Sequence, residues 1–540
     1  MNHCTPSRAA DALAVFLCLL FFLGGLVFIP YAGLQNDELL FAEAIYPPLG
    51  SQFSVRVLGH QVPAMLMSYL GALKAWIYGP IFHFWPPSPW SVRIPVLLIG
   101  TLSIWIFFRL VRNAVGVRAA LVATALLATD ASYILTTCLD WGPVALQHLL
   151  LLSGLLLFWR FHHSDNPLHL GAGFFIFGLA LWDKALFSWC FIGLAVATMV
   201  VFPRVLASKI TRRNVGIAAA AFLIGGAPLV LFNLSTQFET FRGNTHFSAA
   251  DFTQKALILR KGLDGSSLFG YIVRSDPALP AVAPKNSLER ASVELSRLAG
   301  GRGTGILPLA CVLGLVLLPW LWRTPARQPA LFALVFFAVG WLQMAFTKDA
   351  GGATHHTILL WPFPQLFVGV TLAQISARLR WTGVATLAVI VVIVCGLNLV
   401  VLNQHFAQLV QCGNTLIWTD ASTPLSAYMT GVRASHVYAL DWGILDVLRP
   451  LNRGRLPLEF VRGYLEGDLN ESNRGVVMRM IGDQDSVFID HTEGNELMPS
   501  VRGRLDALAA SAGYRRQVIQ TVGDRVGRPV FEVFRYRALE

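Results

Sequence analysis

The sequence predicts an α-helical polytopic membrane protein of about eleven transmembrane helices, followed by a C-terminal α/β soluble domain. Three observations predict it. Of 540 residues, 55% are hydrophobic and only 14% charged, whereas a water-soluble chain carries about a quarter charged residues. Apolar runs of near span length recur between residues 11 and 402, about twenty residues being needed to cross the hydrocarbon as a helix. From Asn403 onward the composition changes: fifteen Arg, no Lys and sixteen Asp plus Glu leave a net charge of −1. A soluble enzyme, a secreted disulfide scaffold and a disordered hub are thereby excluded.

The spans are read at 11–32, 91–111, 119–138, 143–160, 168–183, 185–203, 214–233, 304–322, 329–347, 357–376 and 382–402. No small-x-small cleavage site follows the first run, which reads as a retained anchor rather than a signal peptide. The apolar stretch 61–83, interrupted by Pro63, Lys74 and Pro80, is expected to form an interfacial or re-entrant helix. The net charge of +11 comes from the first 402 residues, with 27 basic and 15 acidic side chains. Orientation in a bilayer is the usual cause of such a surplus, so nucleic acid is not expected as a partner. With the N-terminus inside, thirteen Arg and Lys, among them Arg8, Arg109, Arg112, Arg118 and Arg160, fall on the inner side, against Lys184 and Lys348 in short outer loops. That bias places the 33–90 loop, the 235–303 loop and the 403–540 tail on the outer face. A bacterial inner membrane with a periplasmic tail is the corresponding expectation.

In the tail, His436–Leu440 and Ser486–Ile489 read as strands, Gly443–Leu451 and Arg502–Ala512 as helices, and Gln517–Val522 and Pro529–Tyr536 as alternating strands. No nucleotide fingerprint, P-loop or serine elbow is present, and no Cys or His spacing resembles a zinc site. Cys18, Cys190, Cys311 and Cys395 lie in apolar runs; Cys138 and Cys412, near the expected outer ends, could pair but are read as two free thiols. The chemistry is therefore expected in the membrane half and its outer loops.

Asp37-Glu38 stands just beyond the first span, where two readings compete. One is a helix start, with Asn36 or Asp37 as cap; the other is a general base at the membrane surface. Spacing leaves them even. Asp140, in the tight turn between spans three and four, must face protein or a wet cavity, or else cap the next helix. Asp130 lies deep in the third run, or in an irregular segment if that helix ends early. Asp183 and Lys184 sit together at the junction of spans five and six, either as a self-neutralising pair or with Lys184 free for a phosphate. Arg56, Arg93, Lys348, His355 and His356 complete the outer cations and donors, the two histidines having an interfacial polar belt as their alternative role. Phe252–Leu263 and Leu288–Leu298 are amphipathic and suit the interface. Carboxylates and cations beside apolar grooves on one membrane face suit a lipid-phosphate substrate.

The ordered set Asp37-Glu38, Arg93-Ile94-Pro95, Leu139-Asp140, Lys184 and His356–Pro364 (HTILLWPFP) resembles the family 39-like members of the GT-C membrane glycosyltransferases, over about residues 10–400. That family includes protein O-mannosyltransferases and the lipid A aminoarabinose transferase. The resemblance implies a GT-C transmembrane catalytic domain over 1–402 and a polyprenyl-phosphate-sugar donor. It implies Asp37 as catalytic base, Glu38 supporting it or touching the acceptor, Asp140 as the second acidic position, and Lys184 near the donor. Two departures stand out. Where family members carry Lys-Pro-Pro, this chain has His60-Gln61-Val62-Pro63, leaving Arg56 or Lys74 as substitutes. Where a basic residue enters the later Pro-containing span, this chain has His355-His356.

The expected activity is an inverting sugar transfer from a polyprenyl phosphate to a hydroxyl acceptor, which is a lipid, a glycan or a protein. Lys184, Arg56, Arg93, His355 and His356 are the candidate phosphate contacts. No cofactor is expected, and the need for a divalent cation is open. A lipid-linked-sugar flippase, an oligosaccharide ligase or polymerase, and a receptor-like protein working through its tail are the rivals. A flippase would show inverted repeats and midplane charges, and the sequence has neither.

Overall fold

The structure is a computed structural model describing residues 8–47, 49–244, 246–274, 281–465 and 470–539. The chain opens with α1 (Arg8–Leu26) and a short α2 (Asn36–Leu39). The first loop continues as an antiparallel sheet of β1 (Phe53–Val57), β2 (His60–Met67) and β3 (Leu70–Gly71), then α3 (Leu73–Phe84). This corrects the helix expected over 61–83, of which only the second half is helical. Val57 pairs with His60 around Leu58-Gly59, and both turn residues have positive φ, the two-residue hairpin geometry that matches strand twist. Pro63 also disfavours a helix interior there.

The spans follow as α4 (Pro89–Ala114), α5 (Val117–Ala128), α6 (Ala131–Cys138), α7 (Val144–Ser164), α8 (Pro167–Asp183), α9 (Phe187–Val201), α10 (Pro203–Lys209), α11 (Arg212–Gly225) and α12 (Ala227–Ser235). The helices α13 (Glu239–Asn244), α14 (Phe252–Asp264) and α15 (Ser287–Leu298) precede α16 (Leu307–Leu321), α17 (Arg327–Ala345), α18 (Thr354–Thr357), α19 (Phe363–Arg378) and α20 (Arg380–Cys412). Among the described residues five helices are long and apolar enough to cross a membrane, and nine spans result if each bent pair counts as one; α8 and α16 are shorter apolar helices. Each run read from the sequence meets one of these helices or pairs, and the chain is a multi-pass membrane protein.

The bends have local causes. Between α5 and α6, which meet at 61°, Asp130 leaves the helix and caps α6 by accepting the Tyr133 N–H at 2.9 Å. Its other oxygen accepts from Trp361 Nε1 at 3.1 Å and Gln365 Nε2 at 2.9 Å. Asp130 is thus the pin of a broken span. The α11–α12 bend of 72° falls at Gly226, with Pro228 in the first turn of α12, where a missing N–H costs nothing. The six described cysteines are free thiols.

After α20 come α21 (Ser422–Thr430), β4 (Val437–Ala439), α22 (Ile444–Leu451), β5 (Leu458–Phe460), α23 (Arg462–Leu465), α24 (Glu471–Gly482), β6 (Val487–His491), α25 (Pro499–Ser511), β7 (Tyr514–Gly523) and β8 (Pro529–Ala538). The sheet order is β5-β4-β6-β8-β7. β4 runs parallel to β5 and β6, while β8 is antiparallel to β6 and β7. Alternate residues of β4 and β6 feed two cores, Val437, Ala439, Val487 and Ile489 on one face and Tyr438 and Phe488 on the other. Strands covered on both faces read as continuous apolar runs, which is why these two were legible. The first loop is clasped between bundle and sheet domain: Val447 of α22 packs with Phe41, Tyr78 and Phe82, and the Gly33 N–H donates to the Trp418 carbonyl at 2.9 Å.

Candidate active site

The first loop is turned by Gln35. Its side-chain oxygen accepts from the N–H groups of Asp37 at 2.7 Å and Glu38 at 3.2 Å, so neither Asn36 nor Asp37 is consumed as the cap. The two carboxylates then part. Glu38 turns into the protein and meets Arg93, both side chains being fully buried. Arg93 Nε and Nη2 donate to Glu38 Oε1 and Oε2 at 2.7 and 2.9 Å. Its remaining donors reach the carbonyls of Ile29, Ala32 and Gly33 at 3.1, 2.6 and 2.6 Å. A guanidinium has five N–H donors, and all are used. This corrects the expectation of Arg93 as a phosphate contact, since it has no donor left to offer; of the two roles expected for Glu38, the buried pair favours support of the loop that carries Asp37. Together they nail the end of the first span to α4.

A second buried pair stands beside the first. Lys74 Nζ lies 2.6 Å from Asp140 Oδ2, donates to the Glu38 carbonyl at 3.2 Å, and sits over the Phe41 ring at 4.2 Å. The other oxygen of Asp140 accepts from the Ala145 N–H at 3.0 Å, capping the start of α7, which was the alternative read from the sequence. Lys74 is therefore neutralised rather than free for a donor.

Asp37 is the exception. It is partly exposed, and among the described residues its oxygens accept only from Trp141 Nε1 at 3.1 Å and Asn36 Nδ2 at 3.3 Å. Trp141 is held in place by stacking on Tyr271 at 4.1 Å and by the His355 ring at 4.3 Å. Burial, together with the Asp37 charge, holds the phenols of Tyr69 and Tyr271 above their ordinary range. Asp37 thus sits in an aromatic frame of Tyr69, Trp141 and Tyr271, with no cation bonded to it among the described residues.

Lys184 closes the other side. Its Nζ donates to the Gly142 carbonyl at 2.7 Å. A Cβ on Gly142, whose φ is +70°, would stand 2.9 Å from that Nζ and 3.0 Å from His355 Cδ2, so the backbone approach needs glycine. Burial pulls the Lys184 ammonium down to about 8, with the carboxylates of Asp183, Asp37 and Asp140 pulling the other way. Asp183 does not pair with it directly; its carboxylate accepts from Gln147 Nε2 at 2.7 Å. The β3 strand fixes this turn, Leu70 bridging to Lys184 and the Ala185 N–H donating to the Tyr69 carbonyl at 2.9 Å. His355 stacks edge-on against His356 at 4.2 Å, and Nδ1 of each is buried without a hydrogen-bond partner among the described residues.

The expected residues Asp37, Asp140, Lys184, His355 and His356 are brought together. Arg56 lies exposed on the β1–β2 hairpin and Lys348 is exposed beyond α17, so neither joins the cluster. Gln35, Tyr69, Trp141 and Tyr271 went unnoticed in the sequence; only Trp141, adjoining Asp140, carried any signal. One further group has metal-ligand spacing among the described residues, namely Asp441, Asp490 and His491 at the carboxyl ends of β4 and β6, with donor atoms within 4.8 Å of one another. Its charges are already answered: His491 Nδ1 lies 2.7 Å from Asp441 Oδ2, and Arg502 Nε donates to Asp490 Oδ2 at 2.7 Å.

The family model described as dolichyl-phosphate-mannose-protein mannosyltransferase matches residues 71–232. No curated protein matches the sequence. Among solved structures, the chain is similar to ArnT from Cupriavidus metallidurans bound to undecaprenyl phosphate, with 13% identity, a TM-score of 0.56 and 98% of each chain covered. It is also similar to the Archaeoglobus fulgidus oligosaccharyltransferase in its apo form, with 13% identity and a TM-score of 0.52, over 98% of this chain and 75% of that one. At such identities the likeness is one of fold. The architecture is that of the GT-C membrane glycosyltransferases, as the resemblance in sequence implied.

Proposed function

We propose that the chain is an inverting glycosyltransferase that moves a sugar from a polyprenyl-phosphate donor to a hydroxyl acceptor at the outer membrane face. The carrying observation is the separation of charges around the first loop. Four charged groups cancel in two buried pairs, while Asp37 stays partly open and uncompensated across from Lys184. In this reading Asp37 Oδ takes the proton of the acceptor hydroxyl, and the hydroxyl oxygen attacks the anomeric carbon in line. The bond to the phosphate oxygen breaks, and its electron pair leaves with the lipid phosphate. A phosphate leaving group needs cations where charge develops, which is the role of Lys184, with the unpartnered Nδ1 atoms of His355 and His356 as further contacts. Trp141 orients Asp37, and the Arg93–Glu38 pair positions the loop that carries it. The family-model segment, which includes Lys74, Asp140 and Lys184, supports this reading, as does the undecaprenyl phosphate bound to ArnT of the same fold.

The test uses membranes holding the full chain and a panel of polyprenyl-phosphate sugars, following release of the lipid phosphate. Asp37→Asn is expected to lose about 10²–10⁴ of turnover, the usual worth of a general base, while donor binding and melting temperature stay at the wild-type level. Retained turnover would refute the assignment.

A further inference from the structure

At the other end of the bundle, α4 and α7 line a cavity of about 200 Å³ bounded by Trp105, Ile106, Arg109, Asn113, Leu156 and Arg160. Both helices start in the cluster around Asp37: α4 carries Arg93 near its first turn, and α7 begins at the Asp140 cap. Arg109 is sixteen residues beyond Arg93, and Arg160 sixteen beyond Val144. At 1.5 Å per residue that is about 24 Å, close to a hydrocarbon thickness of about 30 Å. The cavity is therefore a separate place at the opposite membrane surface, the inner one by the positive-inside count.

Its chemistry is cationic and amphipathic. Asp11 and Asp165, acids at this end, are held by Arg112 and Lys209. Arg109 and Arg160 form no ion pair among the described residues; Arg109 lies 5.9 Å from the centre of the Trp105 ring. From the cavity an apolar stripe climbs toward the membrane middle: Leu102 and Leu98 are 47% and 55% exposed, and with Ile106 they recur every four residues on one face of α4. A pair of uncompensated guanidiniums at the membrane surface, with tryptophan beside them and a greasy track leading away, matches one ligand shape. We propose that this cleft binds an anionic glycerophospholipid of that leaflet, its phosphodiester between Arg109 and Arg160 and an acyl chain along Ile106, Leu102 and Leu98. Basic pockets between spanning helices on this side are suited to anionic head groups.

The experiment is native mass spectrometry of the full chain in detergent, titrated with dioleoyl-phosphatidylglycerol or dioleoyl-phosphatidylcholine. The wild type is expected to bind the anionic lipid preferentially. R109Q/R160Q should bind it about thirtyfold more weakly, at about 1 kcal/mol per basic residue. R109K/R160K should keep most of the affinity, and R323Q/R327Q, at the same membrane surface but outside the cleft, should bind as the wild type does. If R109Q/R160Q fails to fold, R160Q alone decides, since Arg160 is exposed and its loss is expected to cost about fivefold. Equal binding of the two lipids, undiminished binding by the glutamine variants, or full competition by inorganic phosphate would overturn the proposal, the last by making the ligand a free anion.

Discussion

Two regions of this protein bury carboxylates against cations, and they end differently. In the α/β domain, Asp441, Asp490, His491 and Arg502 close on one another, with Glu496 and Glu532 within 3.2 and 3.6 Å of Arg502 Nη1. Where the first loop meets the bundle, Arg93–Glu38 and Lys74–Asp140 close in the same way, yet Asp37 and Lys184 have no ion-pair partner of opposite charge among the described residues. Burial alone does not make a site. What distinguishes the bundle cluster is the remainder after the pairs are subtracted, a carboxylate and an ammonium.

The largest effect is expected from removing the cation of a closed pair. Arg93→Ala should destabilise the protein by about 3–5 kcal/mol, because Glu38 is left buried and uncompensated; thermal melting in lipid nanodiscs measures it. An unchanged melting temperature would mean the pair is not structural. Next, Lys184→Gln should leave melting unchanged but lower turnover by about 100-fold, in the range of a lost transition-state contact, with Lys184→Arg recovering part of it. Since the Lys184 ammonium sits at about 8, it is charged below that pH and neutral above it. Donor KM should therefore rise as pH increases through 8, and the rise should be absent in the arginine variant.

Arg502→Ala sharpens the contrast from the other side. It should weaken the α/β domain by about 3 kcal/mol, read by hydrogen exchange in β6, while turnover per folded molecule stays at the wild-type value. The smallest effect is expected where the regions touch. Burial, then the neighbouring Asp446 carboxyl, push Glu43 up to about 8, with Arg449 pulling the other way. A carboxyl raised in the folded state lends stability that is full below its unfolded value and is lost as pH rises toward 8. Protection of α22 against exchange should therefore decline between pH 5 and 8, and Glu43→Gln should flatten that slope.

Much of the architecture was legible because it follows from composition and period. Twenty-residue apolar runs have one stable form in lipid, a helix with its backbone bonds satisfied internally, and the alternating runs at the chain end became the β7–β8 hairpin. The first loop was misread because Pro63 and the Leu58-Gly59 turn interrupt an apolar stretch whose period is ambiguous. Strand β5 is as short as β4 but lies at the sheet edge with Glu459 and Phe460 exposed, so it lacks the continuous apolar run that marks β4.

The sequence by itself determined that the chain crosses a membrane many times and which residues are candidates. Only the tertiary structure decided which of those charges are spent. Glu38 and Asp37 are neighbours with the same chemistry, separated in role because one side chain points at Arg93, fifty-five residues away, and the other at Trp141. Hydrophobic burial and backbone hydrogen bonding act locally enough to leave a trace in residue order. Charge compensation depends on distances across the fold, and residue order carries no record of them.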